Sequence, residues 1–284
     1  MQPTFENQVI SSFNLWLDNK ILSNGGYTNY SGTFYPIASP YSNYYAYGIS
    51  MPQIVSDCGI AGANVITGVY LNNTFITTGQ SGFVGIDYNR GYAYFSQNAN
   101  SYVISGHFAV KEFNVKLTND NEESLLMSTR YQIKPKYPQT PTGVPDATVL
   151  FPIVYVKNAG GVNKPFALGG QDTTNLDVRC IILADSLYSL HAVQSVLKDS
   201  ARTPVALFDV SEQPYNAIGS LRSGSFNYTG LAYPKIDESN FMFIEEVRIP
   251  KSSQTLTTNQ KVLPSNVYFN FADFEISKVR SPRQ

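Results

Sequence analysis

Apolar side chains recur at every fourth position from the start of the chain, at Phe5, Val9, Phe13, Leu17 and Ile21, with Ile10 and Trp16 widening the stripe. That period lines one face of an α-helix. Thr4 can cap its start, and Gly25–Gly26 stops it. The pattern then breaks. The stretch GTFYPIASPYSNYYAYG, Gly32 to Gly48, carries six aromatic rings and no charged side chain. Pro36, Pro40 and Gly48 argue against a regular element there, so the segment is expected to lie extended over something that covers its rings.

From Val65 to Thr118 the pattern alternates as antiparallel strands do. VITGVYL and TFITTG flank Asn72–Asn73, a two-residue turn whose amides tolerate φ > 0. GFVGIDY and YAYFS flank Asn89-Arg90-Gly91, with the glycine placed for a left-handed position. HFAVKEFNVKLT alternates with one slip: Phe108, Val110, Glu112 and Asn114 share one side, and Ala109, Phe113, Val115 and Leu117 the other. The slip predicts a bulge near Lys111–Glu112. Short strands joined by tight turns predict a sandwich or barrel.

KPKYPQTPTGVPDA, Lys134 to Ala147, carries four prolines and reads as a linker or long loop. Beyond it TVLFPIVYV and VRCIILAD are near-continuous apolar runs, the pattern of strands buried on both faces. GGVNKPFALGG between them reads as turns. Asp185 or Ser186 caps a second helix, whose face is Leu187, Leu190, Val193 and Leu197; Arg202-Thr203-Pro204 ends it, and VALFDV returns as a strand. NFMFIEEVRIP and VYFNFADFEISKV complete the β pattern, with VRSPRQ expected to fray. The expectation is a β-rich α+β chain in three parts. Residues 1–133 hold the N-terminal helix, aromatic loop and antiparallel sandwich or barrel, 134–147 are the linker, and 148–284 are a mixed α/β part with one main helix.

Composition narrows what such a chain can do. Charged residues make up 14%, against roughly 25% in typical chains. A surface of Ser, Thr, Asn, Gln and Tyr can be buried in an assembly without stranding charges. Net charge is −1, and no basic face stands out that would displace counterions from phosphate. Lys111, Lys116, Lys134 and Lys136 are offset by Glu112, Asp120, Glu122 and Glu123. Sequence-specific nucleic-acid binding is therefore not expected. No apolar run reaches the ~20 residues of a membrane span, and no signal peptide follows Met1, so synthesis in a cytoplasm is expected. Cys58 and Cys180 form no CxxC and read as buried free thiols. Sequons at Asn29, Asn72 and Asn227 read as chance in an Asn-rich chain.

Candidate chemistry is sparse. His107 and His191 are the only histidines, and no HxxxH, CxxC or DxDxDG spacing accompanies them. Asp185, Ser186 and His191 suggest a triad, but a helix points residues five apart in diverging directions, so Ser186 reads as a cap. Among acids, Asp57, Asp87, Asp172 and Glu245–Glu246 stand out, and adjacent strand residues such as the last two face opposite ways. No enzyme activity, cofactor or metal is expected. The aromatic run then has three readings: packing on its own fold, contact with another protein, or stacking on a ligand. It offers Asn43 and Ser42 but no acid to hold sugar hydroxyls, whereas tyrosine without charge suits a protein contact. Tyr35, Tyr41, Tyr44, Tyr45 and Tyr47 are the expected interface residues.

The leading helix, the Tyr/Pro/Gly-rich stretch, GFVGIDYNRGYAYF and HFAVKEFNVKLTNDNEESLL together resemble virion structural proteins of tailed bacteriophages, over about Phe5 to Leu126. The strand–helix–strand portion Asp177 to Val210 is similar in style to the small α/β domains of tail-terminator and connector rings. The resemblance implies a neck, connector or tail-terminator-like subunit in the virion, with copies of itself in a ring and other virion proteins as partners. A baseplate or fibre-associated carbohydrate- or receptor-binding module is the alternative. No functional residue carries over from the resemblance.

Overall fold

The helical stripe forms α1, Phe5–Ser23. Its end is a Schellman turn: Gly26 N–H donates to Ile21 O and Gly25 N–H to Leu22 O, with Gly25 at φ +86°. Val9, Phe13, Trp16, Leu17 and Ile21 are buried, as the period requires. The structure is a computed structural model that describes residues 5–49, 51, 53–126, 133–134, 149–150, 152–167, 171–250 and 267–280. Thr4, Lys136, the Gly169–Gly170 pair and the proline cluster beyond Lys134 lie outside the described residues.

Eight strands follow α1: β1 (Tyr27–Ile37), β2 (Tyr45–Gly48), β3 (Gly68–Leu71), β4 (Thr74–Thr77), β5 (Phe83–Asp87), β6 (Tyr92–Phe95), β7 (Ile104–Lys111) and β8 (Asn114–Leu117). The first seven make an antiparallel sheet in the order β4-β3-β7-β1-β2-β6-β5, curled so that its ends β4 and β5 approach each other. Asn72 (φ +45°) and Asn73 (φ +70°) form the β3–β4 turn, and Gly91 (φ +68°) closes the β5–β6 turn. Phe34, Tyr47, Ile54, Val69, Phe83, Phe95 and Phe108 fill the interior.

Two expectations are corrected here. The aromatic run is not irregular: β1 reaches Ile37 and β2 begins at Tyr45. Gly48 can sit in the sheet because it pairs across both neighbours, and Pro36 is tolerated within the β1–β2 ladder. The slip in HFAVKEFNVKLT is not a bulge but a change of sheet. β7 stops at Lys111, and β8 pairs in parallel with a strand of the second sheet.

That second sheet contains β11 (Ile153–Ala167), β12 (Gln171–Ala184), β13 (Pro204–Ala206), β14 (Phe241–Arg248) and β15 (Tyr268–Arg280), in the order β13-β14-β15-β12-β11-β8. A two-residue pair, β9 (Ile133–Lys134) with β10 (Val149–Leu150), stands apart. GGVNKPFALGG proves to be strand as far as Ala167, with register shifts at Asn158/Gly160 and Pro165/Ala167 absorbing the glycine and proline. Val279 and Arg280, expected to fray, pair with Thr173 and Asp172. Helix α2 (Leu187–Lys198) is capped by Ser186, whose hydroxyl accepts Ser189 N–H, but Leu187 is exposed rather than on the buried face. A third helix, α3 (Tyr228–Asp237), carries Pro234 inside it and was not anticipated.

Helices α1, α2 and α3 share one face of this sheet. Phe13 stacks edge-on against Phe274 at 4.9 Å, and Leu190, Val193, Leu197, Tyr228 and Ala232 join the same core. Each fully buried Leu, Val or Phe there contributes about 1.5–3 kcal/mol. α1 also touches the first sheet, where Leu22 packs with Val55, Ile60 and Ala109. Asp18 accepts both its hydrogen bonds, 2.8 Å each, from the ammonium of Lys111 at the end of β7. One helix thus fastens the two sheets together.

Candidate interaction surface

The aromatic run acquires a surface through strand register. Tyr35 of β1 lies opposite Gly48 of β2, which lies opposite Tyr92 of β6; the next row is Ile37, Ala46 and Tyr94. The alternate positions, Tyr47, Ala93 and Phe95, point into the barrel-like interior, so these two rows face outward. The middle strand supplies only Gly48 and Ala46, which leaves room for rings to lie across it. A Cβ on Gly48 would stand 3.2 Å from the Tyr92 ring and 3.0 Å from Ile37 Cδ1.

The loop at 38–44 folds back over this face. Tyr41 and Tyr44 pack on Tyr94 at centroid distances of 5.5 and 6.2 Å, and Tyr92 meets Tyr94 at 6.4 Å. Tyr94 is fully buried beneath them. Burial, with the Asp87 carboxylate nearby, pushes its phenol well above the usual tyrosine range. Tyr41 donates from its hydroxyl to Ala217 O at 3.1 Å. That contact reaches a segment of the second half, residues 216–220, which crosses the edge of the same face. Ser220 donates to Ile86 O at 2.7 Å, and Gly219 (φ +79°) passes so close that a Cβ would meet the Asp87 carboxylate at 2.4 Å.

Asp87 sits under this corner, 1% exposed. It accepts from Asn89 N, Arg90 N and Arg90 Nη1 at 3.0–3.1 Å. Burial raises its pKa, and the hydrogen bonds and charge of Arg90 oppose that rise only in part. With every strong partner internal, Asp87 holds the β5–β6 turn in shape.

The five expected interface residues separate. Tyr35 and Tyr45 are 48% and 49% exposed, yet the register sets them on opposite faces of the sheet. Tyr41 and Tyr44 come together, half-buried on Tyr94. Tyr47 is a correction: it is a core residue, 2% exposed, and its hydroxyl accepts Ala99 N–H at 2.8 Å and donates to Asn100 Oδ1 at 2.9 Å. Tyr92 and Tyr94 belong to the outward face and were not singled out. The alternation in GYAYF carried that signal, since it places two tyrosines on one face and Ala93 and Phe95 on the other.

The candidate chemical groups are dispersed over the fold, and most have structural partners. His107 Nδ1 lies 2.7 Å from Ser31 Oγ on the outer face of the first sheet. His191 lines a groove of about 940 Å³ between α2 and the β14–β15 pair, with Leu190, Val247, Ile249 and Tyr268. Asp57 accepts from Asn19 Nδ2 and Gly59 N at 2.8 Å and Tyr228 N at 3.2 Å, tying α1 to the start of α3. Glu246 pairs with Arg248 at 2.7 Å, whereas Glu245 accepts from Ser277 on the neighbouring strand. Cys180 is buried and free; Cys58 is also free but exposed, unlike the expectation. Among the described residues no three of His, Cys, Asp and Glu converge on a common point, and no helix is long and apolar enough to cross a membrane.

No protein-family model matches the chain, and no curated protein matches its sequence.

Proposed function

We propose that the chain is a non-enzymatic structural subunit of a tailed-phage particle, at the neck or head–tail junction, joined to its neighbours through the outward tyrosine face of the first sheet. The observation that carries this reading is the face itself. Tyr35, Tyr41, Tyr44 and Tyr92 offer ring surface around β2, with half of Tyr35 open to water. Rings of this kind bury about 150–250 Å² each when fully covered, so a few of them form the centre of a standard contact of about 800 Å² per partner. The phage setting is what the resemblance of Phe5 to Leu126 implies, and the face supplies the contact such a subunit needs.

Quantitative mass spectrometry of purified particles of the encoding phage tests the reading. The expected result is many copies of this chain per particle, and a chain absent from washed particles contradicts it. A glycan array separates the alternative. Specific binding abolished by Tyr35→Ala would instead make the face a carbohydrate platform.

A further inference from the structure

The second sheet ends on an edge unlike the others. β8 pairs only with Ile153–Val156 of β11, and from Lys157 onward the outer edge of β11 has no strand beside it among the described residues. The other terminal strands are short or covered, since β13 spans Pro204–Ala206 and β4 and β5 turn toward each other, and the one-sided part of β1, Tyr27–Phe34, lies within its sheet rather than at its end. On β11 every residue from Ala159 to Pro165 is exposed, on both faces, with Val162 at 49%. Gly160 N–H donates to Asn158 Oδ1 and Pro165 has no N–H, but between them the backbone of such an edge is a template for another strand.

The edge is held rather than loose. Arg280, stacked on the Phe5 ring at 4.1 Å, donates to Thr174 Oγ1 of β12 and to Asn163 Oδ1 of β11. Asn158 Nδ2 reaches Glu6 of α1 at 3.4 Å. Irregularities bracket the exposed stretch, at Asn158/Gly160 on one side and Pro165/Ala167 on the other, so the regular portion is Gly160 to Pro165. A strand must add along that portion.

We propose that β11 pairs with β11 of a second copy, antiparallel about a two-fold axis near Val162. An antiparallel edge is its own complement, so one surface supplies both halves of the contact. The charges agree with that register. Lys164 then faces Gly160 of the second copy, where no side chain competes, and no two lysines oppose each other. β11 carries Lys157 and Lys164 and no acid, so a register that stacked them would repel. The contact is small against a standard interface of about 800 Å² per partner, and the dimer is correspondingly concentration-dependent. Such a pair closes after two copies, leaving the tyrosine face to join pairs to other subunits. The inference does not depend on the phage reading.

Directly opposed residues of an antiparallel pair lie about 4.5–5.5 Å apart, within the span of a disulfide. Val162→Cys in a Cys58→Ser background is therefore expected to form a disulfide-linked dimer under mild oxidation. Tyr188→Cys in the same background, at an 85% exposed position, is expected to stay largely monomeric. Sedimentation of the cysteine-unmodified chain should show dimer rising with concentration, lost in Val162→Lys and in Val162→Glu, and restored when those two variants are mixed. Both lysine and glutamate are tolerated by the fold at so open a site. Equal cross-linking of the two cysteine variants overturns the proposal. So does a wild-type chain that stays monomeric at every concentration, or a Val162→Lys chain that dimerises as wild type does.

Discussion

Two outward faces of the molecule lie on sheets of similar size and differ in what covers them. On the first sheet, the rows through β2 present Tyr35, Ile37, Tyr92 and Tyr94, with Tyr41 and Tyr44 folded over them. On the second sheet, the face away from α1, α2 and α3 is covered at one end, where Ile181, Leu183 and Phe269 are buried with Leu125 and Leu126, and it carries charge toward the middle. There Arg179 forks onto Asp273 at 2.6 and 3.1 Å and reaches Glu122 at 2.6 Å. Arg248 meets Glu246 and Glu275 at 2.7 and 3.3 Å. Covering the second face would take these ions out of water, at a cost their mutual attraction does not reliably offset. Covering the first removes rings and a few hydroxyls from water. The neutral face is the one that can be buried at low cost.

The largest effects should come from rings that belong to the fold and only look, in sequence, like part of the face. Tyr94→Ala and Tyr47→Ala each remove a ring that is at most 2% exposed, and each is expected to cost about 3–5 kcal/mol, measured by denaturant unfolding. If Tyr94→Ala unfolds at the wild-type midpoint, the ring cluster is not packed as described and the face has no floor.

Next is the joint between the two sheets. Lys111→Met leaves the Asp18 carboxylate, largely buried, without its partner, and a loss of about 3 kcal/mol is expected. The ion pair also sets a pH window. Burial pushes the Lys111 ammonium down, but the Asp18 charge and hydrogen bond, with Tyr215 nearby, hold it above the usual lysine value. A raised value in the folded chain means that this stability is fully present below the unfolded lysine pKa of about 10.4 and is lost as pH climbs through the folded value. Wild-type stability should therefore fall more steeply than that of Lys111→Met above that pH. Parallel curves would show that the pair does not bind its proton more tightly in the folded state.

The charged face should respond weakly. Arg179 and Asp273 are each more than a third exposed, so solvent screening discounts the strong hydrogen bonds, and Arg179→Met is expected to cost about 1 kcal/mol. That cost should shrink in high salt, as the cost of Tyr94→Ala should not. Smallest of all, Tyr35→Ser and Tyr45→Ser should change stability by no more than about 0.5 kcal/mol. A larger loss in either would mean that these tyrosines serve the subunit's own packing rather than a contact.

Features set by local chemistry were legible in the sequence. The period of α1, the Asn72–Asn73 and Gly91 turns and the Ser186 cap each depend on a few neighbouring residues. Features set by distant partners were not. A period-two slip looks the same whether a strand bulges or passes from one sheet to another, so the step from β7 to β8 was hidden. Gly160, Gly161 and Pro165 read as turn residues, yet an edge strand tolerates them because one side of its ladder is unpaired. Pro234 disguised α3, which Asn227 nonetheless starts by accepting Gly230 N–H with its side chain. At the candidate face, the abundance of tyrosine was visible, but its sorting was not. Tyr47 and Tyr45 share a face of β2, Tyr35 takes the other, and Tyr41 and Tyr44 land on a ring fifty residues away.

On the proposed reading, the subunit buries the neutral tyrosine face, and not the charged one, in assembly. Incorporation into particles tests it directly, comparing Tyr35→Ser/Tyr92→Ser with Arg179→Ser/Arg248→Ser, each first shown to be folded by its thermal transition. The folded tyrosine variant is expected to be missing from purified particles while the arginine variant is present at wild-type copy number. Particles that accept the tyrosine variant and exclude the arginine variant would contradict that reading.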